Sequence, residues 1–390
     1  MTKLRLVALL AVVLVVGMGA TLAPRYVTAA AFIGRVGRIG GTLGTWSAGR
    51  AETVLVEAGA MIPTRHGAVA TRTYRPSTGS RRTVLLIPGI HSMGIEEPRL
   101  TGLARDLASA GVRVVTMALP DLQRYRITPA ATDVIEDAAS WITRQPSLAE
   151  DGRVGLVGIS FAGGLSIAAA TRPALADRVA FVVSFGGHGD LPRVMRYLTT
   201  GEAPRVDGFV PKRPHDYGVA VILYGLADQG VVPAEQVNPL RDGIRTFLLA
   251  SQLTLVDRDR AERTFAEARV MAAALPEPAR TYMGYVNDRD VARLGPVLVP
   301  FLDRLGTGDP ALSPARAAAA PGCPVFLLHG QDDTVIPAVE TRLLGAALTE
   351  HGGRARVLLS PLITHAELNE SINPRDAWDL IAFWADVFAR

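Results

Sequence analysis

The sequence predicts an α/β protein: a mostly parallel central sheet with helices on both faces, a mostly helical insertion, and an apolar N-terminal helix long enough to span a membrane. Three observations carry this. From Thr53 onward, short β-branched runs ending in Gly or Pro alternate with Ala-rich stretches, the pattern of a sheet with crossover helices. Between about residues 189 and 322 that alternation breaks into apolar segments separated by Pro, Gly and charged turns. Residues 6–23 carry no charged side chain.

That first segment follows Lys3 and Arg5 and would be about 27 Å long as a helix, just enough for a bilayer core. Two readings stand: a retained membrane anchor, or a signal peptide cleaved at the Ala29–Ala31 run. Lys3 and Arg5 favour an N-terminus left in the cytoplasm, with the folded part outside. Arg25, Arg35 and Arg38 pull the other way. Residues 1–24 are thus expected as anchor or signal and 25–51 as a linker, in which Phe32, Ile33, Val36 and Ile39 could lie at the headgroup layer between Arg35 and Arg38.

Strands are expected at 83–87, 112–117, 153–157, 178–184, 324–328 and 354–359. Runs with so few polar residues are buried on both faces of a sheet. Helices are expected at 100–110, 130–143, 161–171 and 338–350. A last helix is capped by Asn373, has Pro374 in its first turn, and places Trp378, Ile381, Ala385 and Phe388 on one face. The core is accordingly divided into 52–188 and 323–390, with 189–322 as an inserted cap and the Ala- and Pro-rich run 311–321 as the return linker.

Composition excludes several functions. The 41 basic and 37 acidic residues give a net charge of +4 without a dense basic block, so nucleic acid is not an expected partner. Lysine occurs only at Lys3 and Lys212. The single Cys323 can close no intrachain disulfide and build no cysteine zinc site, and at a strand start it reads as a small buried hydrophobe.

The strongest local signal is strand 153–157 running into Gly158, Ile159, Ser160, Phe161, Ala162, Gly163 and Gly164, then into an Ala-rich helix. Small neighbours let the helix start close against the strand and push the serine hydroxyl out above the sheet, among unpaired backbone amides. A serine capping an ordinary helix would give the same local pattern. The segment 84–91, ending Pro88, Gly89, Ile90, His91, is a second small-residue turn after a buried strand. A third follows strand 324–328 as His329, Gly330, Gln331, Asp332, Asp333, Thr334, Val335, Ile336 and Pro337, and His365 comes after the last strand.

Residues 158–162 resemble the nucleophile elbow of the α/β-hydrolase superfamily, in the serine esterase and dienelactone-hydrolase-like lineage, with Ala162 where the commoner form has Gly. Residues 88–90 resemble that family's His-Gly-x turn, with Pro88 in place of the histidine. Residues 329–337 resemble its acid-bearing turn. The resemblance implies Ser160 as nucleophile, Asp333 as the orienting acid, His365 as general base, and the amides of Ile90 and Phe161 as an oxyanion hole. Such amides are worth about 3 to 4 kcal/mol each. Asp332 fits the acid position less well and reads as a water-exposed turn residue. Asp228, in a partial copy of the acid turn, is a rival without a following strand and histidine. His91 and His188 are weaker candidates for substrate contact, and no His-x-x-x-His spacing supports a metal.

A serine at the elbow implies acyl transfer to water from an ester or thioester, without a cofactor. The apolar runs 219–223, 247–249 and 297–301 fit either a greasy acyl or aromatic group or simply the cap's own core. An acyltransferase, a serine peptidase of the same fold, and a membrane-anchored binding module remain the alternatives. Oligomeric state is not legible.

Overall fold

A computed structural model of the chain describes residues 23–205, 208–254, 256–363 and 373–390. Helix α1 (23–36) and α2 (Gly41–Ala48) precede strands β1 (Val54–Ala58), β2 (Thr71–Pro76) and β3 (Thr83–Ile87). Then come α3 (Pro98–Ser109), β4 (Arg113–Met117), α4 (Pro120–Gln123), α5 (Pro129–Thr143), β5 (Val154–Ile159), α6 (Phe161–Ala170) and β6 (Val179–Phe185). The inserted stretch holds α7 (Leu191–Thr200), the hairpin β7 (Glu202–Arg205) and β8 (Gly208–Pro211), α8 (Asp216–Leu226), α9 (Ala234–Leu253), α10 (Arg258–Ala274), α11 (Ala279–Asn287) and α12 (Val291–Leu298). The chain then re-enters the sheet with β9 (Val325–Gly330), α13 (Val339–Glu350), β10 (Ala355–Ser360) and α14 (Pro374–Val387).

The main sheet has eight strands in the order β1-β2-β4-β3-β5-β6-β9-β10. Pairing from β4 through β10 is parallel, and β2 runs antiparallel to both its neighbours. Side chains alternate between two cores, as the two-residue period of a strand requires. Leu85 and Ile87 of β3 face a core shared with α5, α6, α13 and the cap, whereas Val84 and Leu86 face one shared with α1, α3 and α14. The edge strand β10 is covered less, and Val357 is exposed.

Two expectations are corrected at the ends of the chain. The stretch expected as linker (25–51) is largely helical and docked. Phe32 packs on Trp384 and Phe388 at ring-centroid distances of 4.6 and 5.4 Å, and Arg35 pairs with Asp106 at 3.8 Å. Phe32 and Ile33 are therefore core residues of the protein and not lipid-facing ones, because α14 offers an aromatic surface that a sequence window around residue 32 does not contain. In α14 the cap is as expected, Asn373 accepting from the Arg375 amide at 3.1 Å, and Ala385 and Phe388 are buried as expected, but the buried face also takes in Leu380, Phe383, Trp384 and Val387, with Ile381 only half-buried. Trp378 is 57% exposed and stacks on Tyr26 at 5.5 Å. Among the described residues no helix is long and apolar enough to cross a membrane, and the expected anchor lies almost entirely outside them.

Candidate active site

The turn between β5 and α6 places Ser160. Its φ of 54° and ψ of −131° lie outside the conformations an L-residue ordinarily adopts, the strained geometry that pushes a side chain off the end of a strand. Backbone bonds hold it there: the Ser160 amide donates to the Phe185 carbonyl at 2.7 Å, and the Gly163 amide donates to the Ser160 carbonyl at 2.8 Å. The small residues around it are required by close approach. A Cβ on Gly158 would sit 2.3 Å from the Ala162 carbonyl oxygen, and one on Gly164 would sit 2.6–2.7 Å from His188. Ala162 is accommodated in the buried wall of α6.

The turn after β3 meets this elbow. A Cβ on Gly89 would lie 3.1 Å from both the Ile159 carbonyl oxygen and the Ser160 Cβ, so the Gly89–Ile90 backbone runs directly beside the serine. Phe161 is the first residue of α6, where the backbone amide has no partner within the helix.

The turn after β9 places Asp333, which is 2% exposed. Its Oδ1 accepts from the amides of Val335 and Ile336 at 2.7 and 3.0 Å. Its Oδ2 lies 3.2 Å from Nε2 of the fully buried His329. That nitrogen also lies 2.9 Å from the Ile336 carbonyl oxygen, and facing two acceptors it must carry the proton. Nδ1 then accepts from the Thr341 hydroxyl at 2.5 Å. The cap reaches the same turn: the Thr334 carbonyl accepts from the His215 amide at 2.8 Å and from the Tyr197 hydroxyl at 3.0 Å.

Ser160, Ile90, His91 and Asp333 line one cavity of about 800 Å³. Its ceiling is the cap. Tyr217 and Val221 project from one face of α8, and Leu248, Ser251 and Gln252 from one face of α9, each set at helical i, i+3 or i+4 spacing. The Tyr217 hydroxyl is pushed above the ordinary phenol range by burial and then by the negative charge of Asp333. His91 accepts from the Met93 amide through Nδ1 at 3.2 Å, and burial holds its pKa below the usual imidazole value. Four described non-glycine residues have left-handed φ, and three of them, Arg38, Tyr125 and Ser160, line this cavity. Backbone strain of this kind gathers at functional sites.

Other candidates fall elsewhere. His188 is fully buried, its Nε2 donating to the Leu312 carbonyl at 2.7 Å and its ring packed on Phe161, and it does not line the cavity. The sequence expectation of substrate contact is corrected: the chain after β6 turns inward beneath α6, because Gly163 and Gly164 leave room for it. Asp190 pairs with Arg316 at 2.6 Å. Asp228 pairs with Arg241 at 2.8 Å in the cap and is absent from the cavity lining. Asp332 is exposed at the cavity rim. Cys323 is buried, which raises its thiol to about 11. Among the described residues no group of three or more His, Cys, Asp or Glu side chains could hold a metal. His365 lies outside the described residues.

The sequence did not signal Tyr125, His215, Tyr217 or Gln252. They reach the cavity from a core loop and two cap helices, and no local pattern marks them. Of the cap's apolar runs, 219–223 and 247–249 each give one residue to the cavity, Val221 and Leu248, whereas 297–301 gives none.

The mostly parallel sheet, with β2 the one reversed strand among the described residues, the strand-to-helix turn at Ser160 after β5 and the turn carrying Asp333 after β9 define an α/β-hydrolase fold. No family model and no curated protein matches the chain. Among solved structures it is similar to an esterase from Pyrobaculum calidifontis, at 18% identity over 86% of each chain and a TM-score of 0.48. It is also similar to a thermostable esterase from Pseudomonas putida, at 12% identity over 86% of this chain and 82% of that one, with a TM-score of 0.49. Brefeldin A esterase, a bacterial homologue of human hormone-sensitive lipase, gives 16% identity over 95% and 86% of the two chains and a TM-score of 0.46. The fold assignment rests on the strand order and the turns themselves.

Proposed function

We propose that this chain is a serine hydrolase that cleaves a carboxylic ester or thioester through an acyl-enzyme. One observation carries the reading: Ser160, in a strained conformation with positive φ at a strand-to-helix turn, opens on a cavity shared with Asp333 and the Gly89–Ile90 turn. Ser160 attacks the acyl carbon and the amides of Ile90 and Phe161 receive the oxyanion. His365 takes the serine proton and returns it to the leaving group, with Asp333 fixing its tautomer. Water then releases the acyl group, and no step requires a cofactor. Val221 and Leu248 in the ceiling support an apolar acyl or aromatic substituent.

The test is incubation with a fluorophosphonate probe and a series of p-nitrophenyl esters of increasing acyl length. Labelling of the unaltered protein that is lost in Ser160→Ala supports the reading. Labelling that persists in that variant overturns it.

The same reading holds the uncharged segment 6–23 as an anchor with the hydrolase outside the cytoplasm. A periplasm-only reporter fused to the C-terminus should be active, and a silent reporter removes this placement.

A further inference from the structure

The loop that carries Ile90 is tied to the cap by a side-chain bridge at Gln252. The Ser92 hydroxyl donates to Gln252 Oε1 at 3.0 Å, and Gln252 Nε2 donates to the Tyr125 hydroxyl at 3.2 Å. Ser92 stands two residues beyond Ile90, Gln252 projects from the cavity face of α9, and Tyr125 belongs to the core loop after α4. The bridge therefore joins three separate pieces of the molecule around one amide group, with the exposed Ser92 also bonded directly to the Tyr125 side chain. A glutamine serves this place because a single planar group both accepts and donates; a leucine of similar size would do neither.

Two further observations say that the bridge is built. Tyr125 has φ of 57°, a conformation a bulky residue keeps only when its surroundings over-determine it, and its ring packs edge-on against Tyr224 of the cap at 6.1 Å. On the core side, Gly94 of the same loop sits so tightly on Gln123 of α4 that a Cβ there would lie 2.3 Å from the Gln123 Nε2. The loop is thus held from below by α4 and from above by α9.

We propose that Gln252 is a positioning residue: through Ser92 it lets cap helix α9 set the backbone carrying the Ile90 amide, so that cap placement and oxyanion stabilisation are coupled. The proposal rests on Ile90 as an oxyanion donor. A donor displaced by a fraction of an ångström loses its worth in the transition state while ground-state binding is little changed, so the coupling is read in kcat and not in KM.

The experiment compares Gln252→Leu, Ser92→Ala and the double variant in the full chain. Each single variant should lower kcat for p-nitrophenyl butyrate about tenfold with KM within about twofold, and the double variant should be no worse than either single one. Hydrogen exchange of the peptide covering residues 88–97 should rise in both single variants, while the β5–α6 segment keeps its protection and serves as the folding control. Additive losses, a change confined to KM, or unaltered exchange at 88–97 overturns the proposal. An unaltered protein whose Ser160 takes no fluorophosphonate label sinks the hydrolase reading instead, and the exchange measurement still decides whether the Gln252 bridge holds the loop.

Discussion

His329 and Asp333 face each other across the turn after β9, with imidazole Nε2 3.2 Å from carboxylate Oδ2. Both are buried, and the histidine is locked on its other side by Thr341. The proposed acid is therefore held by two amides of its own turn on one oxygen and by an imidazole N–H from the end of β9 on the other. An acceptor-only group suits that arrangement, and its orientation is fixed before substrate arrives.

His329→Ala removes one of those donors and leaves a gap beside Asp333. It should lower kcat about tenfold to a hundredfold with KM little changed, and His329→Gln, which retains an N–H donor, should recover part of the loss. Equal losses in the two variants would mean that the imidazole matters only by filling space. Steady-state kinetics on a p-nitrophenyl ester decides.

Asp333→Asn keeps the size of the side chain but sets its NH2 against one of those donors and presents an amide where the general base needs a carboxylate. A fall in kcat of about ten-thousandfold is expected, as for the corresponding change in serine hydrolases of other folds. Asp228→Asn should leave kcat within about twofold, since Asp228 is paired with Arg241 away from the cavity. Reversed effects would transfer the acid role to Asp228.

Gly164→Ala places a methyl group 2.7 Å from both the His188 Nδ1 and its backbone oxygen. The carbonyl cannot rotate away, so α6 must shift, at a cost of about 1 to 3 kcal/mol. Chemical denaturation of the variant should show that loss, with reduced activity because α6 carries Phe161. An unchanged midpoint would mean that α6 is packed more loosely than this contact implies.

His188 gives the stability a pH dependence. Burial depresses its folded pKa below the ordinary imidazole value of about 6.5, so the native state keeps the ring neutral while the unfolded chain takes up a proton. The unfolded state then binds more protons, and stability from this group is complete above about pH 6.5 and falls as the pH drops below it toward the folded pKa. His188→Gln should flatten the melting temperature against pH between about 5 and 7 relative to the unaltered protein. Parallel curves would assign any acid sensitivity to other groups.

Cys323 should resist alkylation. Its burial raises the thiol to about 11, leaving almost no thiolate at pH 8. Iodoacetamide should modify it in denaturant and not in the native protein, which mass spectrometry reads directly.

Much of this was written in local sequence. Strand 83–87 coincides with β3, the glycines around Ser160 marked the tight turn after β5, and residues 329–337 marked the turn after β9, because buried strands and tight turns impose composition on adjacent residues. The location of His188 escaped, since the direction a chain takes after β6 depends on the space that Gly163 and Gly164 leave beneath α6. The α1 helix escaped for a related reason: Phe32 and Ile33 look the same in sequence whether they meet lipid or Trp384.

The sequence by itself determined the alternation of strands and helices, the side chains available at the ends of β3, β5 and β9, and that Cys323 has no second thiol to pair with. Those follow from residue types within a few positions of one another. Only the tertiary structure decided that α1 closes the second core, that His329 braces Asp333, and that Gln252 stands over the Ile90 loop. These depend on side chains far apart in the chain meeting across a folded interior, where distance and hydrogen-bond geometry, and not neighbouring residues, select the partner.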